Sequence, residues 1–230
     1  MKTNYYLQGK DAESLLVREP QRGQVVLFIR GTGEVTVDRD VFSVTGIAAL
    51  CPAGPGPICL RASSGALEYL EILTELEAHD SLLARSPDSY FVDYAQCEPY
   101  AEAIKSPKTI SRTIVPPNIL PRFCLGSVET TGPDAVGAHS HPMLEQLFFG
   151  LPGNRCIVTA DDEEAVLEEG MLLHIPLGSR HGVRVEEGSQ LHYVWMDFFR
   201  READLGYIQE QHKPLRSNSS DQQAKPRTRP

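Results

Sequence analysis

Three histidines and one glutamate in the second half of the chain have the spacing of a metal site. His139, His141 and Glu145 form one short run, and His181 closes a second run further along. Residues two apart on a strand face the same side of a sheet, so His139 and His141 can chelate one ion. Three imidazoles and a carboxylate form a mixed nitrogen and oxygen ligand set. The four residues therefore predict one divalent metal ion, with Fe, Mn, Ni, Cu and Zn all left open.

Glycines and a proline place these ligands in two motifs. Gly132 and Gly153 flank the pattern His-x-His-x3-Glu. The second motif, Gly-x5-Pro-x-Gly-x2-His, is made by Gly170, Pro176, Gly178 and His181. The paired motifs resemble those of the cupin superfamily. The resemblance implies an all-β fold of cupin-type double-stranded β-barrels (jelly rolls), with the metal held by the three histidines and Glu145.

The first half of the chain repeats the second motif without its histidine. Gly46, Pro52 and Gly54 reproduce Gly-x5-Pro-x-Gly 124 residues earlier, and Pro57 stands where that motif has its histidine. No histidine precedes His79, so the His-x-His pair is missing as well. A repeat of this length indicates a duplicated domain. Together with the resemblance it implies a bicupin, in which only the second barrel binds metal.

The repeat divides the chain into four predicted segments. These are a degenerate N-terminal cupin barrel (1–80), a linker with a short helix (81–114), a metal-binding C-terminal cupin barrel (115–205) and a disordered tail (206–230). The run Tyr94–Ile104 is the best helix candidate, because Pro99 suits the start of a helix. The tail is rich in Ser, Gln, Pro and Arg, a composition typical of disorder.

Further residues are candidates for the pocket around the metal. His174, His192 and Tyr193 are titratable or hydrogen-bonding groups on neighbouring strands, and each is a candidate catalytic residue. Strand alternation predicts an apolar pocket wall from Leu147, Phe149, Val183 and Val185.

Composition limits the classes of partner. The formal net charge is −9, which argues against nucleic acid and against an anionic membrane surface. The five cysteines contain no Cys-x2-Cys pair, and the N-terminus lacks the apolar core of a signal peptide, so we expect a cytoplasmic protein with reduced thiols. A homodimer is predicted, because apolar strands such as Val25–Ile29 would otherwise risk an exposed edge.

Two classes of function remain open from the sequence. The first is a metal-dependent enzyme that acts on a small polar metabolite, as a dioxygenase, isomerase, decarboxylase or hydrolase. The second is a non-catalytic protein whose metal helps to bind a small sugar or organic acid. Because one fold hosts many chemistries, the resemblance cannot choose between them. An acid or base group beside the metal would favour the enzyme.

Overall fold

The computed structural model describes residues 1–19, 21–78, 80 and 88–206. Seventeen strands account for most of them. The N-terminal half holds β1 (Lys2–Gln8), β2 (Glu13–Leu16), β3 (Arg22–Val37), β4 (Asp40–Thr45), β5 (Ala48–Cys51), β6 (Ile58–Glu75) and β7 (Tyr90–Asp93). The C-terminal half holds β8 (Pro99–Tyr100), β9 (Ile110–Leu120), β10 (Phe123–Thr131), β11 (Asp134–His139), β12 (Leu144–Gly150), β13 (Arg155–Ala160), β14 (Glu163–Glu168), β15 (Leu172–Ile175), β16 (His181–Val185) and β17 (Gln190–Phe199).

Each half forms a barrel of antiparallel strands. In the C-terminal half a six-stranded sheet, in the order β15-β12-β17-β10-β9-β8, faces a four-stranded sheet, in the order β11-β16-β13-β14. In the N-terminal half one seven-stranded sheet has the order β1-β6-β3-β5-β7, with β2 added to β6 and β4 added to β3. The predicted all-β fold class of two double-stranded barrels is confirmed.

The strand pairing of the second half repeats that of the first. The long strand β3 pairs with β5 in its first part and with β4 in its last part, as β12 and β13 pair with β15 and β14. The long strand β6 pairs with β2 and then β1, as β16 and β17 pair with β11 and β10. The two halves therefore have corresponding strand positions that can be compared residue by residue.

Of the four apolar clusters among the described residues, three form the two barrel cores and the interface between the barrels. One fills the N-terminal barrel around Phe28, and another fills the C-terminal barrel around Phe148. A third combines residues of both halves, such as Leu27 and Leu147, and forms the interface between the barrels. Val25–Ile29 belongs to β3, is paired on both sides and is buried. The exposed edge that motivated a homodimer does not exist at this strand, and the homodimer remains a prediction without that support.

The linker differs from the predicted helix. Tyr94–Gln96 forms a single 3-10 turn, and Pro99 with Tyr100 forms the short strand β8, which pairs with β9. A proline disfavours the helical conformation of the residue before it, so the predicted helix is interrupted at Pro99. Strand β7 joins the N-terminal sheet and β9 begins at Ile110 in the C-terminal sheet, so strands of both sheets start inside the predicted linker.

Other expectations concern the ends and surface of the chain. The predicted tail, 206–230, lies outside the described residues apart from Gly206. Within the described part, no helix has the length and apolar character needed to cross a membrane. The five cysteines form no disulfide, and Cys59 is the exposed one among them.

Candidate metal centre

Three histidines meet at one end of the C-terminal barrel. His139 ends β11 and His181 begins β16, and the two are direct cross-strand partners. His141 lies two residues beyond His139, before β12 begins. One nitrogen from each ring lies within 4.8 Å of those of the other two. His141 and His181 are buried, while His139 is partly exposed.

Backbone carbonyls set the tautomers of two of these rings. The Nδ1–H of His139 donates to the carbonyl of Gly137 at 2.8 Å, and the Nδ1–H of His181 donates to that of Ser179 at 3.1 Å. A carbonyl oxygen can only accept, so the proton lies on Nδ1 and the lone pair lies on Nε2. Donation from the second ring nitrogen is the usual way in which proteins orient metal-binding histidines.

The histidines line a cavity inside the barrel. Its volume is about 530 Å³, and its wall includes Phe148, Val183, Tyr193 and Trp195. This volume lies within the range of about 300–1,000 Å³ usual for small-molecule sites. Most of the surface of the wall is apolar, and polar or charged groups such as Gln146, Asp197, Glu102 and Lys105 are set into it. Such a cavity can bind a small molecule next to the histidines.

Glu145 does not lie where the motif predicts. Its Oε2 is 2.8 Å from Nε2 of His174, on the neighbouring strand β15. Glu145 shares a face of β12 with Leu147 and Phe149, which pack into the cluster between the barrels. The structure therefore brings the three histidines together without Glu145, and Glu145 as a metal ligand stays a prediction. The turn after His141 takes up one more residue than the motif spacing assumes, and a shift of one residue reverses the face of a strand.

Gln146 takes the place beside the cavity. Its side chain is buried and lines the cavity with the histidines. Its Nε2 donates to Oδ1 of buried Asp197 at 2.7 Å, across the β12–β17 pair. A carboxylate only accepts, so Asp197 fixes the amide with its NH₂ group on that side. Oε1 of Gln146 is buried and has no hydrogen-bond partner among the described residues.

The same shift changes the predicted wall. Phe148 lines the cavity, whereas Leu147 and Phe149 lie between the barrels. Val183 lines the cavity as predicted, and Val185 packs into the barrel core beyond it. Alternation along β16 was placed correctly because it starts from His181 itself, with no turn in between.

The three predicted catalytic residues do not lie together in the structure. Tyr193 lines the cavity, and burial raises the pKa of its hydroxyl well above the usual value, so the hydroxyl stays protonated at neutral pH. His174 is half-exposed and pairs with Glu145 outside the cavity. His192 lies on the opposite face of β17 from Tyr193, with its Nε2 3.2 Å from the hydroxyl of Tyr94. The positions of His174 and His192 differ from the prediction.

The linker also contributes to the cavity. Tyr100, Glu102 and Lys105 line it, although they precede the barrel strands that carry the histidines. No motif in the sequence marks these residues, and the Glu102-x-x-Lys105 spacing is equally typical of a solvated surface. Only the path of the linker across the barrel brings them to the cavity.

Comparison with known proteins identifies the C-terminal domain. Residues 128–197 match the family model described as a cupin domain. Comparison with curated protein sequences gave no significant match. An IolB-like protein from Salmonella typhimurium LT2 has 13% identity and a TM-score of 0.71, with 87% of this chain and 84% of that chain covered.

Two enzymes have similar structures. A salicylate 1,2-dioxygenase from Pseudaminobacter salicylatoxidans has 10% identity and a TM-score of 0.65, with 92% of this chain and 74% of the enzyme covered. A variant of oxalate decarboxylase from Bacillus subtilis has 11% identity and a TM-score of 0.65, with 87% and 68% covered. At these identities the likeness concerns the fold. Residues 128–197 are thus a cupin domain, and the resemblance to the cupin superfamily drawn from the two motifs is confirmed.

Proposed function

We propose that the chain is a metal-dependent enzyme that acts on a small polar metabolite in its C-terminal barrel. The observation that carries this proposal is the convergence of His139, His141 and His181 at the wall of one cavity. Three imidazoles suit Fe, Mn, Ni, Cu or Zn as divalent ions. The carbonyl contacts of His139 and His181 leave the lone pair on Nε2 of each ring, which is a nitrogen that can bind such an ion.

Gln146 is the best candidate for an additional ligand. Its buried Oε1 belongs to a side chain that Asp197 holds in one orientation. On β12 the cavity-facing neighbour of Gln146 is Phe148, whose ring centroid is 6.0 Å from that of His181. An amide oxygen is a neutral, hard donor, so the ligand set would be three imidazoles and one carbonyl oxygen instead of three imidazoles and a carboxylate.

The cavity combines apolar walls with acid–base groups. When bound, the metal would supply Lewis acidity or, for a redox-active ion, oxygen activation. Phe148, Val183 and Trp195 give the cavity apolar walls, and polar interactions are stronger beside apolar groups than in bulk water. Tyr193 holds a proton on its hydroxyl at neutral pH and can donate a hydrogen bond to a bound molecule.

The alternative is a protein that binds a small ligand through its metal without reaction. Such a protein needs a complementary cavity but no acid–base groups in it. The cavity wall contains Tyr193, Lys105, Glu102 and Asp197, and this favours the enzyme. A homodimer remains part of the proposal as an expectation, and a light-scattering mass equal to the 25.5 kDa chain would contradict it.

Elemental analysis of the purified protein tests the metal site, followed by an activity screen of the metal-loaded protein against hydroxy acids, sugar derivatives and aromatic diols. We expect one transition metal per chain in the wild type and loss of the metal in His181→Ala. Full metal occupancy in the variant would disprove the ligand assignment. A metal-loaded protein that binds members of the screen without converting any would favour the alternative.

A further inference from the structure

An ion pair from the linker, between Glu102 and Lys105, forms part of the cavity wall. The linker is fixed to β11, the strand that ends at His139. Lys105 forms a backbone bridge with Val136, and the N–H of Gly137 donates to the carbonyl of Ile104 at 3.1 Å. The linker therefore has a defined position on the barrel that contains the histidines.

The ion pair is buried. The side chains of Glu102 and Lys105 are 4% and 5% exposed, and both line the cavity. Nζ of Lys105 donates to Oε1 of Glu102 at 2.7 Å and to Oγ of Ser111 at 2.7 Å. Removing two opposite charges from water has a cost that their attraction often fails to offset. A buried ion pair is therefore weak support for a purely stabilising role.

Another residue already attaches this linker to the barrel. Oδ2 of Asp134 on β11 accepts hydrogen bonds from the hydroxyls of Ser106 at 2.7 Å and Thr109 at 2.9 Å. Lys108 adds hydrogen bonds to the carbonyls of Thr131 and Pro133. These contacts attach the linker to the barrel through residues other than the ion pair. Its position in the cavity wall points to contact with a ligand.

The donors and acceptors of the pair define what it can bind. An ammonium group has three N–H donors, and the described residues supply Lys105 with two acceptors. A carboxylate has about four lone-pair sites, so Glu102 can accept from more than one donor. Burial lowers the pKa of Lys105, and the carboxylates of Glu102 and Asp197 oppose that change.

A hydroxyl group satisfies this pair better than a second carboxylate. A hydroxyl can accept from Lys105 and donate to Glu102 at the same time. A ligand carboxylate in the same place would also approach the carboxylates of Glu102 and Asp197, and like charges repel strongly in a buried site. The chemistry of the pair therefore favours the hydroxylated part of a ligand.

We propose that Glu102 and Lys105 form a recognition subsite for a hydroxyl group, so that the cavity takes a polyhydroxylated small metabolite. This inference rests on the proposed function for the other end of the ligand, which would lie at the three histidines. The subsite depends on the linker of this chain, and neither barrel motif contains it.

Calorimetric titration of the metal-loaded full chain with two probes tests the subsite. Gluconate and 2-hydroxyhexanoate share the chain length and the 2-hydroxy acid end, and they differ in the distal hydroxyls. We expect the wild type to prefer gluconate by at least about tenfold, since sites built to bind a hydroxyl discriminate strongly against its absence. The double variant Glu102→Leu with Lys105→Met should lose this preference, because apolar residues of similar volume commonly replace a buried ion pair without loss of folding.

Controls separate the subsite from the metal site. Lys108→Met, in the same linker, should keep the preference for gluconate, and all variants should keep the wild-type metal content. A double variant that still prefers gluconate, or a metal-loaded wild type without preference, would overturn the subsite. A wild type that retains no metal would instead overturn the proposed function. Should the double variant not fold, Glu102→Gln replaces it, with gluconate binding weakened and 2-hydroxyhexanoate binding unchanged.

Discussion

In the N-terminal barrel, the strand pair that corresponds to His139 and His181 consists of Leu16 and Ile58, so strand pairing puts Ile58 at the place of His181, one residue after the Pro57 predicted from the 124-residue offset. Both Leu16 and Ile58 are buried in the N-terminal core. The two barrels therefore build the same strand pairing with entirely different side chains at this place. The comparison indicates that the barrel itself does not require the histidines, since one copy forms the pair from apolar residues.

A second pair shows the same difference. Gln146 lies opposite Asp197 in the C-terminal barrel, and Val26 lies opposite Glu71 in the N-terminal barrel. Val26 packs into the apolar core, while Gln24 Nε2 donates to Glu71 at 2.6 Å. Both barrels thus keep a buried carboxylate on the last long strand. In both barrels a glutamine amide donates to that carboxylate, from Gln24 in the N-terminal barrel and from Gln146 in the C-terminal barrel, where Gln146 also lines the cavity.

The largest effect should come from making the C-terminal site resemble the N-terminal one. His139→Leu combined with His181→Ile introduces the residue types found at Leu16 and Ile58. We expect metal affinity to fall by at least about 100-fold. Loss of a residue that only hydrogen-bonds to a metal ligand already lowers affinity up to about 100-fold, and here two proposed ligands are removed. Elemental analysis and a chelator competition assay measure this loss. The control His174→Ala, outside the cavity, should retain the metal; outright unfolding of the double variant would show that the ion has a structural role.

A smaller loss is expected at Gln146. Gln146→Val introduces the residue of the corresponding N-terminal position and removes the buried amide oxygen. We expect metal affinity in this variant to fall about 10- to 100-fold. Asp197→Asn disturbs the orientation of the amide, and its loss of metal affinity should be of the same size or smaller. Glu145→Gln is the matched control on the other face of the strand. Loss of metal in the control with retention in Gln146→Val would restore the motif-based ligand assignment.

The attachment of the linker should show a pH-dependent effect on stability. Burial acts to raise the pKa of Asp134, but hydrogen bonds from Ser106, Thr130 and Thr109 outweigh it and lower the pKa. A carboxyl group with a lowered folded-state pKa stabilises the fold above its unfolded value, about 3.9, and this stabilisation disappears as pH falls through the folded value. Asp134→Ala should reduce the free energy of unfolding by about 1–2 kcal/mol at pH 7.

Urea unfolding of the wild type and Asp134→Ala at pH 7 and near pH 2 measures this difference. The two proteins should become more alike in stability at the lower pH. A difference that stays constant with pH would mean that packing, and not the ionised carboxylate, is responsible for the effect of Asp134.

The smallest effect is expected at the pair Glu145 and His174. Because His174 is half-exposed, solvent screens this contact and its contribution to stability should be below about 1 kcal/mol. Glu145→Ala and His174→Ala should each leave metal content unchanged. A thermal unfolding curve and elemental analysis of both variants would reveal any larger role, and loss of metal in either would mean that this pair rearranges towards the cavity.

The sequence alone determined the fold and brought out the three histidines that the structure places together. The glycines at Gly170 and Gly178 have positive φ angles of 74° and 77°, which glycine adopts without strain, so the motif spacing fixes the turns before His181. The repeat of Gly46, Pro52 and Gly54 likewise predicted the second barrel. Short-range spacing of this kind can be read directly from the sequence.

Tertiary structure decided which residues face the cavity. The turn after His141 placed Gln146 on the inner face of β12 and Glu145 on the outer face. Strand alternation cannot be extrapolated across an irregular turn, because a shift of one residue reverses the face. The path of the linker brought Glu102 and Lys105 to the cavity from a segment that no motif marks. Such placements depend on how distant strands and connections pack, because burial and charge pairing are settled only when those segments meet.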